Sequence, residues 1–279
     1  MMAPASLMVR LTPNVANDAL LLFTADLAAR LKVTRVIGIA ASQPLQVYGS
    51  LDTYVPQDLI DRDRAQIERE LKAAKNRFRA VLQGKVTDLE WRSTVTYGSL
   101  ADYIAQQMRA ADLLVTMPEE GGSLFDTSRR VGVADLVLRA GRPVLVVGAA
   151  VDKLDLRSVV VGWKDTREAR RALEDALPLL KLADRVTVVE IASGEDVPGA
   201  RARIEDVADW LARHGVAASA RAVASLGDDA AQLSSIAEEL GAGLMVGGAY
   251  GHTRLREWVM GGVTRDLLLR PARTSFLSH

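Results

Sequence analysis

Cysteine is absent from the 279 residues. The chain therefore forms no disulfide, offers no thiolate nucleophile and holds no metal through sulfur, and its composition fits a reducing compartment. An excess of charge of either sign is also missing. The 35 lysines and arginines are matched by 35 aspartates and glutamates, which argues against a nucleic-acid or anionic-membrane partner. Apolar runs stay near the eight residues of 144–151, against the roughly 18 needed to cross a bilayer. No basic stretch precedes Arg10, so a targeting segment is not expected and the chain reads as cytoplasmic.

Histidines are few and scattered: His214, His252 and His279 show no HxxH or HExxH spacing, and no metal site is expected. A GxSxG elbow is missing as well, and nothing supplies a base to a particular serine, so no catalytic residue is assigned. What is present is 49% hydrophobic and 25% charged residues, ordinary for a folded chain. The length suits two domains of roughly 140 residues as well as one large domain.

An internal repeat decides between them. Asp135-Leu-Val-Leu-Arg-Ala-Gly-Arg142 returns as Asp266-Leu-Leu-Leu-Arg-Pro-Ala-Arg273, a shift of 131 positions, and the same shift carries Ala111–Val115 onto Ala242–Val246 without a gap. Tyr103–Met108 matches Ser235–Leu240 with one residue of slippage, and toward the start of each half the shift grows to 152. Chance similarity between amphipathic helices does not extend through a strand, a loop and a helix in register. We therefore expect two domains, 1–150 and 151–279, with Gly148 to Arg157 as the link.

Short apolar runs alternate with longer periodic segments in both halves, which predicts alternating strands and helices and a mostly parallel sheet. Strands are expected near Leu7–Leu11, Arg35–Ala40, Leu89–Val95, Leu113–Thr116 and Pro143–Val147. In the second half they fall near Ser158–Gly162, Arg185–Ile191, Val216–Val223, Gly243–Gly247 and Thr274–Leu277. A helix over Arg167–Lys181 gathers Ala169, Ala172, Leu173, Ala176, Leu177 and Leu180 on one face. The segment from Pro56 to Leu82 reads as one long helix with a stripe running from Leu59 and Ile60 through Ile67, Leu71, Ala74 and Phe78 to Leu82. Asp228 or Asp229 is expected to cap the helix that ends before Gly241.

In such a sheet a ligand binds at the carboxyl ends of the strands where strand order reverses, which directs attention to the segments after strands one and four. After strand four of the second half comes Gly247-Gly-Ala-Tyr-Gly-His-Thr-Arg-Leu-Arg-Glu-Trp-Val-Met-Gly-Gly-Val-Thr264. Gly248, Gly251, Gly261 and Gly262 would let backbone amides approach an anion, and Gly261-Gly262 precedes a helix whose amino terminus favours negative charge. Neither GxxxxGK[ST] nor GxGxxG is present. The spacing Gly248-x2-Gly251-x9-Gly261, with Arg270-Pro271 before the last strand, instead resembles the nucleotide-binding motif of the universal stress protein (UspA) family, and the likeness extends over both halves.

The resemblance implies a tandem universal stress protein: two Rossmann-like α/β domains with strand order 3-2-1-4-5, paired through strand five as a pseudo-dimer, with a homodimer of such chains open. It also implies ATP, with Mg2+, as the ligand of the second domain. Gly248, Gly251, Gly261, Gly262 and Thr264 would then line the phosphates, and His252 would lie within their loop. Two departures stand against this. Family members that bind ATP carry serine or threonine where this chain has Gly262, and an acidic residue after strand one where Gly162-Trp-Lys-Asp165 places Lys164, with Asp165 one later. Lys164 suits a phosphate or carboxylate ligand, or is simply a solvated turn residue; Trp163 reads as a packing residue.

The shift of 131 places Met117, Glu120, Arg130 and Val131 where the second half has its four glycines. The first domain is therefore expected not to bind a nucleotide in the family manner. The function read from sequence is an ATP-binding stress-response module rather than an enzyme of turnover, the alternative being a nucleotide-free interaction protein of the same fold.

Overall fold

The computed structural model describes residues 4–45, 56–118, 131–149, 151–249 and 273–279. The valine, isoleucine and leucine runs form strands whose central residues are covered on both faces, as parallel strands between helical layers must be. In chain order the first half contains β1 (Ser6–Arg10), α1 (Asp18–Leu31), β2 (Arg35–Ser42), α2 (Gln57–Leu82), β3 (Asp88–Val95), α3 (Leu100–Gln107), β4 (Leu113–Thr116), α4 (Val133–Arg139) and β5 (Val144–Val146). The second contains β6 (Val159–Gly162), α5 (Arg167–Leu180), β7 (Val186–Ala192), α6 (Val197–Arg213), β8 (Ala218–Ala224), α7 (Asp229–Glu239), β9 (Leu244–Gly248) and β10 (Thr274–Ser278). Each expected strand is found within about two residues of its expected bounds, the accuracy of any strand end.

All ten strands form one sheet in the order β3-β2-β1-β4-β5-β10-β9-β6-β7-β8. Read inward from its outer edge, each half runs 3-2-1-4-5 in its own numbering. Every neighbouring pair is parallel except β5 and β10, which run antiparallel with Val146 opposite Ser275, Leu145 opposite Phe276 and Val144 opposite Leu277. This pairing covers the strand edge that each half would otherwise expose. The outer edges, β3 and β8, are laced instead by charged pairs: Arg35 and Arg92 on Glu90, and Arg221 on both oxygens of Glu239 at 2.9 Å.

One apolar cluster runs across the seam on the face covered by α1, α2, α5 and α6, and includes Leu20, Phe78, Leu145, Leu173, Ile204 and Phe276. A second fills the face under α3, α4 and α7, with Met8, Leu114, Leu136, Ile236 and Leu277 among its members. The long helix departs from its expected stripe. Ile67, Leu71, Ala74, Phe78 and Leu82 of α2 are buried, whereas Leu59 is 47% exposed, so the first turns reach beyond the residues that pack on the sheet. Asp228, not Asp229, caps α7, accepting from the amides of Ala230 and Ala231 at 3.1 Å each. His214 ends α6 with its Nδ1 2.9 Å from the Trp210 carbonyl oxygen and its ring against the Trp210 indole.

A carboxylate lies buried beside the seam. The Ser278 hydroxyl on β10 donates to Asp175 Oδ2 of α5 at 2.6 Å, with Arg171 at 3.8 Å. Burial pushes the Asp175 carboxyl above its ordinary value, and the Ser278 hydrogen bond and Arg171 only partly oppose this. Because the folded-state pKa is raised, the folded chain favours the protonated acid. That contribution is whole below the unfolded pKa and is lost as pH rises through the folded one. Asp175→Asn keeps an oxygen for Ser278 without the charge. It is expected to be more stable than the native chain at pH 7, with the gap closing toward pH 4 in denaturant titrations at the two pH values.

Candidate functional site

In both halves strand order reverses between the first and fourth strands, so the crevice opens between the ends of β1 and β4 and again between those of β6 and β9. In the second half the two strands meet there with Gly162 opposite Gly247. The next residue, Trp163, turns into the core at 8% exposure, in keeping with its reading as a packing residue. Its Nε1 is one of three buried side-chain polar atoms without a hydrogen-bond partner among the described residues, together with Arg35 Nε and Thr274 Oγ1. Lys164 is exposed and makes no ion pair among the described residues, and Asp165 pairs with Arg170.

α5 then begins directly beneath this edge. Thr166 is its N-cap, the hydroxyl accepting from the Ala169 amide at 3.2 Å. Glu168 is buried in the first turn with Arg167 at 2.9 Å. Burial would raise its carboxyl, but its own backbone N–H and Arg167 outweigh that and hold it below the usual range. The amino terminus of α5 thus already carries an anion of the protein's own, stabilised by the helix dipole. The basic cluster Arg167, Arg170 and Arg171 is spent on Glu168, Asp165 and Asp175 in turn.

Two of the expected ligand glycines have neighbours that account for them. A β-carbon on Gly248 would lie 2.5 Å from the Ala169 nitrogen and 2.5 Å from the Glu168 carbonyl carbon, so the approach of the α5 backbone requires glycine. A β-carbon on Gly162 would lie 2.9 Å from Leu233 Cδ2 of α7. Gly251, His252, Gly261, Gly262 and Thr264 lie outside the described residues, as do Arg254 and Arg256.

The first half fills the equivalent crevice differently. Arg10 ends β1, Thr116 ends β4 and Met117 comes next, where the second half has Gly162, Gly247 and Gly248. Arg10 is 3% exposed and donates from Nη1 to Thr116 Oγ1 and from Nη2 to Thr12 Oγ1, each at 3.1 Å. Burial lowers its pKa to about 10. Sequence reading passed over this residue, although the 152-residue shift that carries β1 onto β6 sets Arg10 directly on Gly162.

Elsewhere, a cleft of about 230 Å³ lies between the loop after β1 and α2, lined by Thr12, Asn14, Asn17, Asp18, Glu70 and Arg77 among others. Arg77 is paired there with Asp18. Near the end of β7 the buried Glu190 takes three hydrogen bonds from Arg203, the shortest 2.6 Å, and Asp196 takes another at 2.7 Å. Among the described residues no group of three or more histidine, aspartate or glutamate side chains is placed to hold a metal ion. Nor is any helix among them long and apolar enough to cross a membrane.

The sequence matches no family model and no curated protein. Among solved structures the chain is similar to a universal stress protein from Archaeoglobus fulgidus DSM 4304, with TM-score 0.71, 13% identity and 97% of each chain covered. It is also similar to a functionally unknown protein from Pseudomonas aeruginosa PAO1, with TM-score 0.62, 15% identity, and 99% of this chain and 93% of that chain covered. At such identities the likeness is one of fold, and it runs through both halves. The chain has the universal stress protein fold, built twice along one polypeptide.

Proposed function

We propose that the chain is a tandem universal stress protein, with domains 1–150 and 151–279, whose second domain binds an adenine nucleotide, ATP with Mg2+, as a sensing or regulatory module. The observation that carries the reading is the contrast between the two crevices. Where the first half sets a buried arginine, the second ends both switch strands in glycine, with the Trp163 indole N–H and Lys164 beside them lacking a hydrogen-bond partner and an ion pair respectively among the described residues. A nucleotide offers acceptors for the first and negative charge for the second. Because Glu168 already holds the α5 terminus, the phosphates are assigned to the loop of Gly251, His252, Gly261, Gly262 and Thr264, with Gly162, Lys164 and Asp165 at its mouth and Gly248 at its root.

Calorimetric titration of the folded chain with ATP and magnesium tests this. Saturable heat with one nucleotide per chain is expected. Gly251→Val should lower the affinity by more than an order of magnitude, while Glu120→Ala, in the first half, leaves it unchanged. Absence of heat up to millimolar nucleotide overturns the reading. The nucleotide-free alternative is favoured by one observation, the carboxylate of Glu168 at the helix terminus where an external anion would otherwise sit.

A further inference from the structure

The first-half crevice holds a charge in a place where a fold of this kind ordinarily leaves room for a ligand. Arg10 is the last residue of β1, and its side chain leaves the sheet on the face of Met8, the α3–α4 side. There its two terminal nitrogens reach two hydroxyls from different segments, Thr116 at the end of β4 and Thr12 in the loop after β1, both at 3.1 Å. Thr116 is fully buried and its hydroxyl donates onward to the Met117 carbonyl at 3.3 Å, which leaves the Oγ1 lone pairs turned to the guanidinium. A planar fork spanning two acceptors, the Thr116 contact buried and the Thr12 contact part-buried, is the geometry that suits guanidinium and not the compact, strongly hydrated ammonium of lysine.

The duplicated half shows what happens to the space without it. Gly162 stands in the place of Arg10, and Leu233 comes within 2.9 Å of where its β-carbon would be. The register that carries Ile104 onto Ile236 carries Ala101 onto Leu233. One copy therefore puts its bulk on the helix, the other on the strand and with a charge. We propose that the switch-point crevice of the first half is a guanidinium-binding site occupied by the chain's own Arg10, so that this half carries its ligand covalently and is closed to diffusible ones. Burial lowers the pKa of Arg10 to about 10, which still leaves about a thousand protonated chains for each neutral one at pH 7. This inference stands whether or not the second half takes a nucleotide.

Arg10→Gly opens the site and gives it the residue of the other half; Arg10→Met fills it without charge. Thermal melts of both variants and the native chain are compared in low-millimolar guanidinium chloride, methylammonium chloride and sodium chloride at one ionic strength. Arg10→Gly is expected to lose several degrees of Tm, and guanidinium to restore at least half of that loss with a saturable dependence. Methylammonium and sodium restore none, and the native chain and Arg10→Met do not respond. An Arg10→Gly chain that melts like the native one, or one that guanidinium shifts no more than sodium does, overturns the proposal. If Arg10→Gly does not fold, the native chain labelled with 15N in its arginines decides. One guanidinium with slowed rotation and resolved Nη signals, missing from Arg10→Met, supports the site, and its absence overturns it.

Discussion

Gly248→Ala is expected to destabilise the chain by about 1–3 kcal/mol, toward the upper end, with a lower denaturant midpoint at unchanged slope. The added carbon would lie 2.5 Å from backbone atoms of both Glu168 and Ala169, and neither can rotate away as a side-chain tip would. Relief requires α5 to shift off β9. But Thr166 caps that helix, Ala169, Ala172 and Leu173 anchor it in the core, and Ser278 ties it to β10 through Asp175. Gly194→Ala is the control. Nothing lies within 4 Å of its β-carbon position, and the change should stay within about 0.5 kcal/mol. Equal stability of the two variants would mean that α5 does not approach β9 as described. The result also bears on function. If Gly248 is glycine because a helix presses on it, then weaker nucleotide binding in its variants does not locate phosphate contacts, and Gly251 is the position that tests the site.

The sheet was legible because its information is local and repeated. A strand buried on both faces is a short apolar run, and the duplication let the fourth strand be checked against its copy, Ala111–Val115 against Ala242–Val246, and the helix before the fifth against its own, Asp135–Arg142 against Asp266–Arg273. The long helix was legible in its existence but not in its reach, since periodicity shows which face is apolar and not where the sheet beneath it stops. Leu59 continues the stripe in sequence and stands exposed in space. The site was harder for two reasons. A glycine reads the same whether a ligand or a neighbouring helix needs the room, and only the position of α5 separates the two at Gly248. Arg10 carried a signal in the repeat itself, a charge where the copy has glycine, but within an otherwise apolar strand it reads as a strand end passing into solvent. That it turns inward depends on Thr12 and Thr116, which the sequence sets 104 positions apart and the crossover between β1 and β4 brings together.

The seam sets the second large effect. Phe276 is 1% exposed, lies in the middle of β10 opposite Leu145 and Val246, and belongs to the apolar cluster that spans both halves. Phe276→Ala removes a large side chain where β5, β9 and β10 hold one another in register, so the gap cannot close by local collapse. A loss of about 3–5 kcal/mol is expected. Its form matters as much as its size. If the halves are one cooperative unit, the loss appears as a single transition displaced as a whole, with helix signal by circular dichroism and tryptophan fluorescence moving together, because Trp91 belongs to the first half of the sequence and Trp163, Trp210 and Trp258 to the second. Two transitions in the native chain, with Phe276→Ala lowering only one, would show that β5 and β10 join two independently stable units. A single displaced transition means that neither half keeps its fold once the antiparallel pair is weakened. The first half then contributes the stability of β5 and its buried Arg10 end, while the second is left to hold whatever binds at its glycine-lined edge.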